Sequence, residues 1–152
     1  MDYNKFSNYF GLVAHYKFPK WLQNTINNWY VNHFKIDMSE FNPVHSYDSL
    51  NALFTRKLKS PRIIGPGIVS PSDGLSLECA KGDNLRAYSI KSREYNVSEL
   101  LGKSLKIGEL DDEFDYLNIY LSPRDYHHYH APCDIQILSL EYTPGKLFSV
   151  AK

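Results

Sequence analysis

The fold is decided at residues 59–79, KSPRIIGPGIVSPSDGLSLEC, where the pattern of the chain changes. Before this stretch apolar residues recur at helical spacing, whereas within it Gly and Pro mark turns and short β-type segments follow. Helices first and strands later favour an α+β fold over alternating β-α-β units. We therefore predict N-terminal helices in residues 1–58, followed in 59–152 by a mainly antiparallel β domain, an incomplete barrel or sandwich.

Two helices are predicted upstream of the change. Pro19 stands where a helix can begin, and the residues that recur near a 3.6-residue period are Trp21, Leu22, Ile26, Trp29, Tyr30, His33 and Phe34. A second helix is predicted at 48–58, with Ser46 or Asp48 as its N-cap.

Downstream, short segments rich in β-branched and aromatic residues lie between turn signals. The predicted strands are 68–70, 75–79, 116–121 and 135–142. A short helix is predicted at 97–101, ended by Gly102. The last residues, 145–152, begin a further apolar segment without a polar tail. This favours a fragment of a longer chain, with a short last strand as the alternative.

Composition limits the possible functions. The 152 residues include 17 basic and 17 acidic side chains, and this neutral balance argues against a nucleic-acid-binding protein. Cys79 and Cys133 cannot form a disulfide scaffold, which indicates a reducing compartment. The sequence contains no apolar run of the roughly 18–20 residues that span a membrane and no secretory signal after Met1. We predict a soluble or peripherally bound globular protein.

Residues 121–134, LSPRDYHHYHAPCD, contain three of the six histidines and are the strongest candidate for a site of chemistry. One hypothesis is a metal-binding protein or metal-dependent hydrolase, because His127, His130 and Cys133 lie three residues apart and are zinc-ligand types. The other is general acid–base chemistry, for which Asp73 is the best orienting carboxylate. Asp73 lies in a Pro-x-Asp-Gly turn at 70–74, where Asp more often stabilises the turn than takes part in catalysis. The residues alone therefore leave both hypotheses open.

Residues 121–132 resemble the histidine motif of bacterial-type phosphatidylserine decarboxylase proenzymes, L-S-P-x-D-Y-H-x-x-H-x-P. Three further stretches follow the family's order. Residues 51–58, NALFTRKL, resemble its F-F-x-R-x-L helix, 70–74, SPSDG, resemble its P-x-D-G turn, and 142–150, YTPGKLFSV, resemble the segment after the histidines. Residues 91–101 match more weakly.

The resemblance implies a lyase of phospholipid biosynthesis that converts phosphatidylserine to phosphatidylethanolamine and CO2, with a pyruvoyl group as electron sink. That group forms from a Ser at a Gly-Ser bond when the proenzyme cleaves itself. Asp73 and His130 match two members of the self-cleavage triad, in which His130 takes the Ser proton and Asp73 orients the imidazole. His127 matches the histidine that assists decarboxylation by protonating Cα, whereas His128 occupies a variable position.

None of the eight glycines is followed by Ser, so this sequence does not contain the pyruvoyl-forming residue. The resemblance therefore implies an N-terminal (beta-chain) portion that is inactive alone. The implied partners are the C-terminal (alpha) chain, phosphatidylserine and the membrane surface, and a homodimer is left open. The implied location is the cytoplasmic side of the bacterial cell membrane, as a peripheral protein.

The N-terminal region has the composition of an interfacial helix. Its apolar and basic residues are Phe6, Tyr9, Phe10, Leu12, Val13 and Tyr16, with Lys5, Lys17 and Lys20. Trp21 and Trp29 suit the lipid–water boundary, although helices packed on the β domain would explain them equally well. A non-catalytic remnant that binds only a partner or a membrane is a third hypothesis.

Overall fold

The computed structural model describes residues 3–83, 86–89, 93–97, 102, 113–138, 140 and 142. Its elements are α1 (Tyr3–His15), α2 (Lys20–Phe34), a 3-10 turn (Val44–Ser46), α3 (Leu50–Phe54), β1 (Leu75–Asp83), β2 (Arg86–Ser89), β3 (Arg93–Asn96) and β4 (Glu113–Tyr120). Helices precede strands, which confirms the predicted α+β class. Among the described helices, none has the length and apolar character needed to cross a bilayer.

The four described strands form one open antiparallel sheet in the order β3-β2-β1-β4. Strand β1 pairs with β4 from Leu75 opposite Tyr120 to Asp83 opposite Glu113. The strands predicted at 75–79 and 116–121 are confirmed, although β1 is longer than predicted and β4 begins and ends earlier.

The strand predicted at 68–70 is wrong, although the segment is held by hydrogen bonds. The Val69 N–H donates to the Pro132 carbonyl oxygen at 2.9 Å, and the His130 N–H donates to the Pro71 carbonyl oxygen at 2.8 Å. Prolines have no N–H, so Pro71 and Pro132 interrupt the ladder from both sides. Two extended segments result, joined by separate hydrogen bonds and an isolated bridge between Ser72 and Tyr129.

The strand predicted at 135–142 is also wrong where it can be checked, at residues 135–138, 140 and 142. A β-type pattern becomes a strand only when a neighbouring strand accepts its hydrogen bonds. No described strand pairs with these residues. Their apolar side chains are exposed, with Ile137 at 80% and Leu138 at 86%. The helix predicted at 97–101 lies outside the described residues except for Val97, which is helical.

The chain forms two compact units. One combines the residues up to Asp73 with Leu121–Pro132, and the other combines Gly74–Tyr120 with the described part of Cys133–Pro144. The histidine segment belongs to the first unit, together with the helices. The division into regions 1–58 and 59–152 stays a prediction. The apolar core of the first unit includes Ile36, Phe41 and Leu53.

Helix α2 confirms the first predicted helix but buries an unexpected face. Trp21 and Trp29 are 72% and 60% exposed, whereas Gln23 and Asn27 are buried. The Gln23 Nε2–H donates to Asn27 Oδ1 at 2.8 Å, and the Asn27 Nδ2–H donates to the Tyr47 carbonyl oxygen at 2.9 Å. Buried amides need such partners. The polar stripe thereby fixes the chain after the 3-10 turn against the helix.

Helix α3 is shorter than the predicted 48–58, and neither Ser46 nor Asp48 caps it. The N-cap is Ser49, whose Oγ accepts the Ala52 N–H at 3.1 Å. The helix ends at Phe54, with Thr55 as its C-cap, and Leu58 forms an antiparallel bridge with Phe41 instead of continuing the helix. This early end places residues 54–56 beside the histidine segment.

Candidate active site

The histidine segment begins with a tight turn at residues 122–125. The Asp125 N–H donates to the Ser122 carbonyl oxygen at 2.9 Å. In return, Asp125 Oδ2 accepts the Ser122 N–H at 2.6 Å and the Ser122 hydroxyl at 2.8 Å. Pro123 occupies the turn position where proline is favoured. Ser122 and Asp125 therefore shape the loop that precedes the histidines.

Arg56 fixes this turn from inside the unit. Arg56 is only 1% exposed, and its guanidinium lies 4.6 Å from the centre of the Phe41 ring. Arg56 Nη2–H donates to the carbonyl oxygens of Arg124 at 2.7 Å and Asp125 at 2.9 Å. Its Nε and Nη1 have no hydrogen-bond partner in the described part of the chain. Burial lowers the pKa of Arg56, but an arginine stays charged at neutral pH.

His127 is half-buried against the end of α3. Its ring centre lies 4.0 Å from that of Phe54, and its Nδ1–H donates to the Asp125 carbonyl oxygen at 3.0 Å. A carbonyl only accepts, so Nδ1 carries the hydrogen and Nε2 is the nitrogen left for chemistry. Desolvation lowers the pKa of His127 below 6.5. The imidazole is therefore neutral at pH 7, and its protonated form is a readier proton donor than an exposed histidine.

His128 has packing contacts instead. Its ring stacks on Tyr126 with centroids 4.6 Å apart, and its Nε2–H donates to the Thr55 carbonyl oxygen at 3.3 Å. Phe54, Thr55 and Arg56 are consecutive and contact different parts of the histidine segment. Their position at the helix end therefore fixes the whole segment.

Asp73 and His130 lie on the two extended segments that pair in this unit. The His130 N–H donates to the Pro71 carbonyl oxygen, and Ser72 is bridged to Tyr129. Asp73 and His130, the two predicted triad residues, thus lie on neighbouring extended segments. Among the described residues, no hydrogen bond joins the Asp73 carboxylate to the His130 imidazole. The His130 residue is exposed.

The carboxylate of Asp73 binds Arg62. Arg62 Nη1–H and Nη2–H donate to Asp73 Oδ1 and Oδ2 at 2.5 and 3.1 Å. The same guanidinium donates from Nε and Nη2 to the Glu40 carboxylate at 3.0 and 2.8 Å. Arg62 is the main cause of the lowered pKa of Asp73, to which the Tyr126 N–H and the charge of His130 also contribute. Asp73 is therefore ionised throughout the neutral range.

The metal-site hypothesis for His127, His130 and Cys133 is not supported. Within the described part of the chain, no three His, Cys, Asp or Glu side chains are placed to hold a metal ion. His127 already uses Nδ1 on a backbone carbonyl. The segment is a turn followed by extended chain, so the spacing of three does not gather the side chains as a helix would.

Sequence reasoning assigned no role to Arg56 or Arg62. A charged residue at 56, among the apolar positions of the predicted second helix, was an available signal, because a buried arginine needs specific partners. Nothing comparable marked Arg62, which lies in the Gly- and Pro-rich stretch. Its two carboxylate partners, 22 and 11 residues away, are visible only in the structure.

A family model and the curated relatives described next match this chain, and all carry the same family description. Residues 50–152 match the family model described as phosphatidylserine decarboxylase. A phosphatidylserine decarboxylase proenzyme of Campylobacter jejuni is 53% identical over 148 residues, which are 95% of this chain and 56% of that protein. One of Helicobacter pylori strain J99 is 51% identical over 152 residues, with 98% and 56% covered. The chain thus spans about half the length of these curated relatives.

Proposed function

The chain belongs to the phosphatidylserine decarboxylase family, and from this premise we propose that it supplies the acid–base residues of a pyruvoyl-dependent proenzyme. The observation that carries the proposal is the pairing of the Asp73 segment with the His130 segment, fixed by the 2.8 Å hydrogen bond from His130 N–H to the Pro71 carbonyl oxygen. Two residues distant in sequence are thereby held on adjacent backbone.

In self-cleavage, His130 is the general base. Its exposed imidazole has no hydrogen-bond partner among the described side chains, so it is open to a serine hydroxyl from a downstream segment. A base that removes this proton makes the hydroxyl a competent nucleophile. Asp73, held ionised by Arg62, stabilises the imidazolium that forms.

In decarboxylation, His127 is the proton donor to Cα. When present, the pyruvoyl group supplies the electron sink for the carboxylate loss. The residues of this chain fit such a group, because His127 keeps Nε2 unused. Nε2 would first take up a proton from solvent, and the lowered pKa of His127 would then favour its release to Cα. The Phe54 ring limits the access of water to one face of the imidazole.

The proposed macromolecular partner is a C-terminal chain that carries the pyruvoyl group. Exposed apolar residues in the second unit support it, since a row of such side chains marks a contact surface. These residues are Ile135, Ile137, Leu138, Leu140 and Tyr142, each at least 61% exposed. On this proposal the chain alone neither cleaves itself nor releases CO2.

We also propose peripheral contact with the cytoplasmic face of the membrane, where phosphatidylserine would be met. Helix α1 exposes Phe6, Tyr9, Phe10 and Leu12 at 57% or more, and Trp21 on α2 is 72% exposed. A cleft of about 180 Å³ beside the start of α2 is lined by Lys17, Lys20, His45 and Asp48 among others. Exposed aromatic side chains near lysines suit a lipid headgroup region.

The test joins this chain to the C-terminal remainder of the Campylobacter jejuni relative, giving a full-length chimera. Wild-type chimera and His128→Ala are expected to cleave themselves, whereas His130→Ala is expected to slow cleavage about 10³-fold or more. His127→Ala should cleave but release CO2 from phosphatidylserine vesicles about 10²-fold or more slowly. Cleavage is followed on denaturing gels. Unchanged cleavage in His130→Ala would contradict the proposal.

A further inference from the structure

Glu40, Arg62 and Asp73 form an ion-pair cluster whose hydrogen bonds are more specific than is usual for partly exposed side chains. The side chains are 50%, 39% and 32% exposed, and ion pairs at such positions contribute little to stability. Yet one guanidinium contacts both oxygens of each of two carboxylates. Bidentate contacts of this kind fix the plane of a carboxylate as well as its charge.

A carboxylate has about four acceptor sites, and Arg62 occupies two of those on Asp73. The remaining sites are left for other donors, among which the Tyr126 N–H and His130 are close enough to affect Asp73 electrostatically. Arg62 also lies over the Tyr126 ring, 5.6 Å from its centre. The guanidinium is thus tied both to the Asp73 segment and to the histidine segment.

We propose that Arg62, braced by Glu40, is the positioning residue of Asp73, and that it keeps this carboxylate ionised and oriented for His130. The inference rests on the proposed acid–base function. Arg62 touches neither reacting serine nor substrate in this role and acts only through Asp73. Glu40 acts on Asp73 only through Arg62, because its carboxylate holds the Arg62 guanidinium.

The charges around Asp73 give the sign of the effect. The cationic groups that face it are Arg62, the His130 imidazole when it is protonated and, at longer range, Arg56, whereas Glu40 opposes them. Removing Arg62 leaves Glu40 and Asp73 without their shared cation, so the pKa of Asp73 rises. Protonated Asp73 cannot stabilise an imidazolium, so the contribution of Asp73 to self-cleavage should be lost at a higher pH than in the wild type. The lost bidentate contact should also slow cleavage where Asp73 is still ionised.

The experiment measures self-cleavage of the chimera against pH in Arg62→Gln, Arg62→Lys and Glu40→Gln. Arg62→Gln is expected to cleave about tenfold or more slowly at neutral pH, because Asp73 loses the bidentate contact that orients it. The acid limb of its pH profile should also move to higher pH. Arg62→Lys should restore the position of the acid limb of the pH–rate profile more fully than the cleavage rate. Lysine restores the positive charge but not the planar, bidentate geometry of the guanidinium. Glu40→Gln should slow cleavage less than Arg62→Gln. Arg124→Gln, whose exposed guanidinium is 3.9 Å from Asp125, is the matched control.

A second readout does not depend on activity. Carbon-detected NMR of labelled aspartate in uncleaved chimera, blocked by His130→Ala, follows the titration of Asp73 directly. An upward shift in Arg62→Gln and a smaller one in Arg62→Lys support the inference even if His130 proves not to be the base. The inference is overturned if Arg62→Gln changes neither the titration of Asp73 nor the acid limb of the pH–rate profile. If Arg62→Gln does not fold, the same two measurements on Arg62→Lys and Glu40→Gln test the inference.

Discussion

Arg56 and Arg62 each hold one half of the candidate site, but in opposite surroundings. Arg56 is buried and donates to two backbone carbonyls, and none of the described carboxylates forms an ion pair with it. Arg62 is partly exposed and binds the carboxylates of Glu40 and Asp73. A buried cation whose hydrogen bonds are lost costs far more than an exposed ion pair. Arg56 should therefore matter to the fold and Arg62 to the chemistry.

The largest effect is expected for Arg56→Ala. The change removes two charge-assisted hydrogen bonds to the turn and leaves a cavity beside Phe41, so the free energy of unfolding should fall by about 3 kcal/mol. Urea unfolding of the chimera blocked by His130→Ala measures it, with Lys57→Ala, an exposed neighbour, as control. A loss below about 1 kcal/mol would remove the distinction between the two arginines.

Asp125→Ala tests the turn that Arg56 holds. Its side chain is 19% exposed and accepts two hydrogen bonds from Ser122. Their loss should lower the free energy of unfolding by about 1.5 kcal/mol. Urea unfolding checks this against Arg124→Ala, which keeps the backbone carbonyl and should be near neutral. Equal effects of the two changes would show that the Asp125 side chain does not shape the turn.

Arg62→Ala should have little effect on stability. Exposed ion pairs contribute about 0–1 kcal/mol, so urea unfolding at pH 7 should change by less than about 1 kcal/mol. The pKa of Asp73 is lowered in the folded state. The contribution of its pairing is therefore present above the unfolded pKa of about 3.9 and is lost as pH falls through the folded pKa. A large loss at pH 7 would make Arg62 a residue of the fold.

The smallest effect concerns His127. Desolvation lowers its folded pKa below 6.5, so the unfolded chain binds the proton first and stability declines as pH falls from 6.5 through the folded pKa. Phe54→Leu uncovers part of the ring and should raise the pKa of His127 towards 6.5. Imidazole NMR titration measures it, with Phe6→Leu on the exposed face of α1 as control. An unchanged pKa would mean that Phe54 does not desolvate the ring.

The parts of the fold that could be predicted are those set by local pattern. Helix α2 and strands β1 and β4 follow from periodicity and turn signals. The errors arise where distant residues decide: Phe41 bridges Leu58, which the prediction placed in the helix, and Pro132 interrupts the ladder opposite 68–70. No local pattern contains that information.

The candidate site divides in the same way. His127, His130 and Asp73 could be proposed because the family's motifs are short and contiguous in sequence. The roles of Arg56 and Arg62 could not be assigned, even though Arg56 was marked as a charged residue among apolar positions. Their roles depend on contacts such as the one between Arg56 and the carbonyl of Arg124, 68 residues away. Motifs therefore identified candidate reacting groups, and only the structure identified the groups that hold them.

The central claim is that Asp73 acts through His130. Residual self-cleavage of the chimera, followed for days by mass spectrometry, tests it in Asp73→Asn, His130→Ala and the double variant. Residues that act as a unit are not additive. The double variant should therefore cleave no more slowly than His130→Ala alone. If the two losses instead multiply, Asp73 and His130 act independently and the account is contradicted.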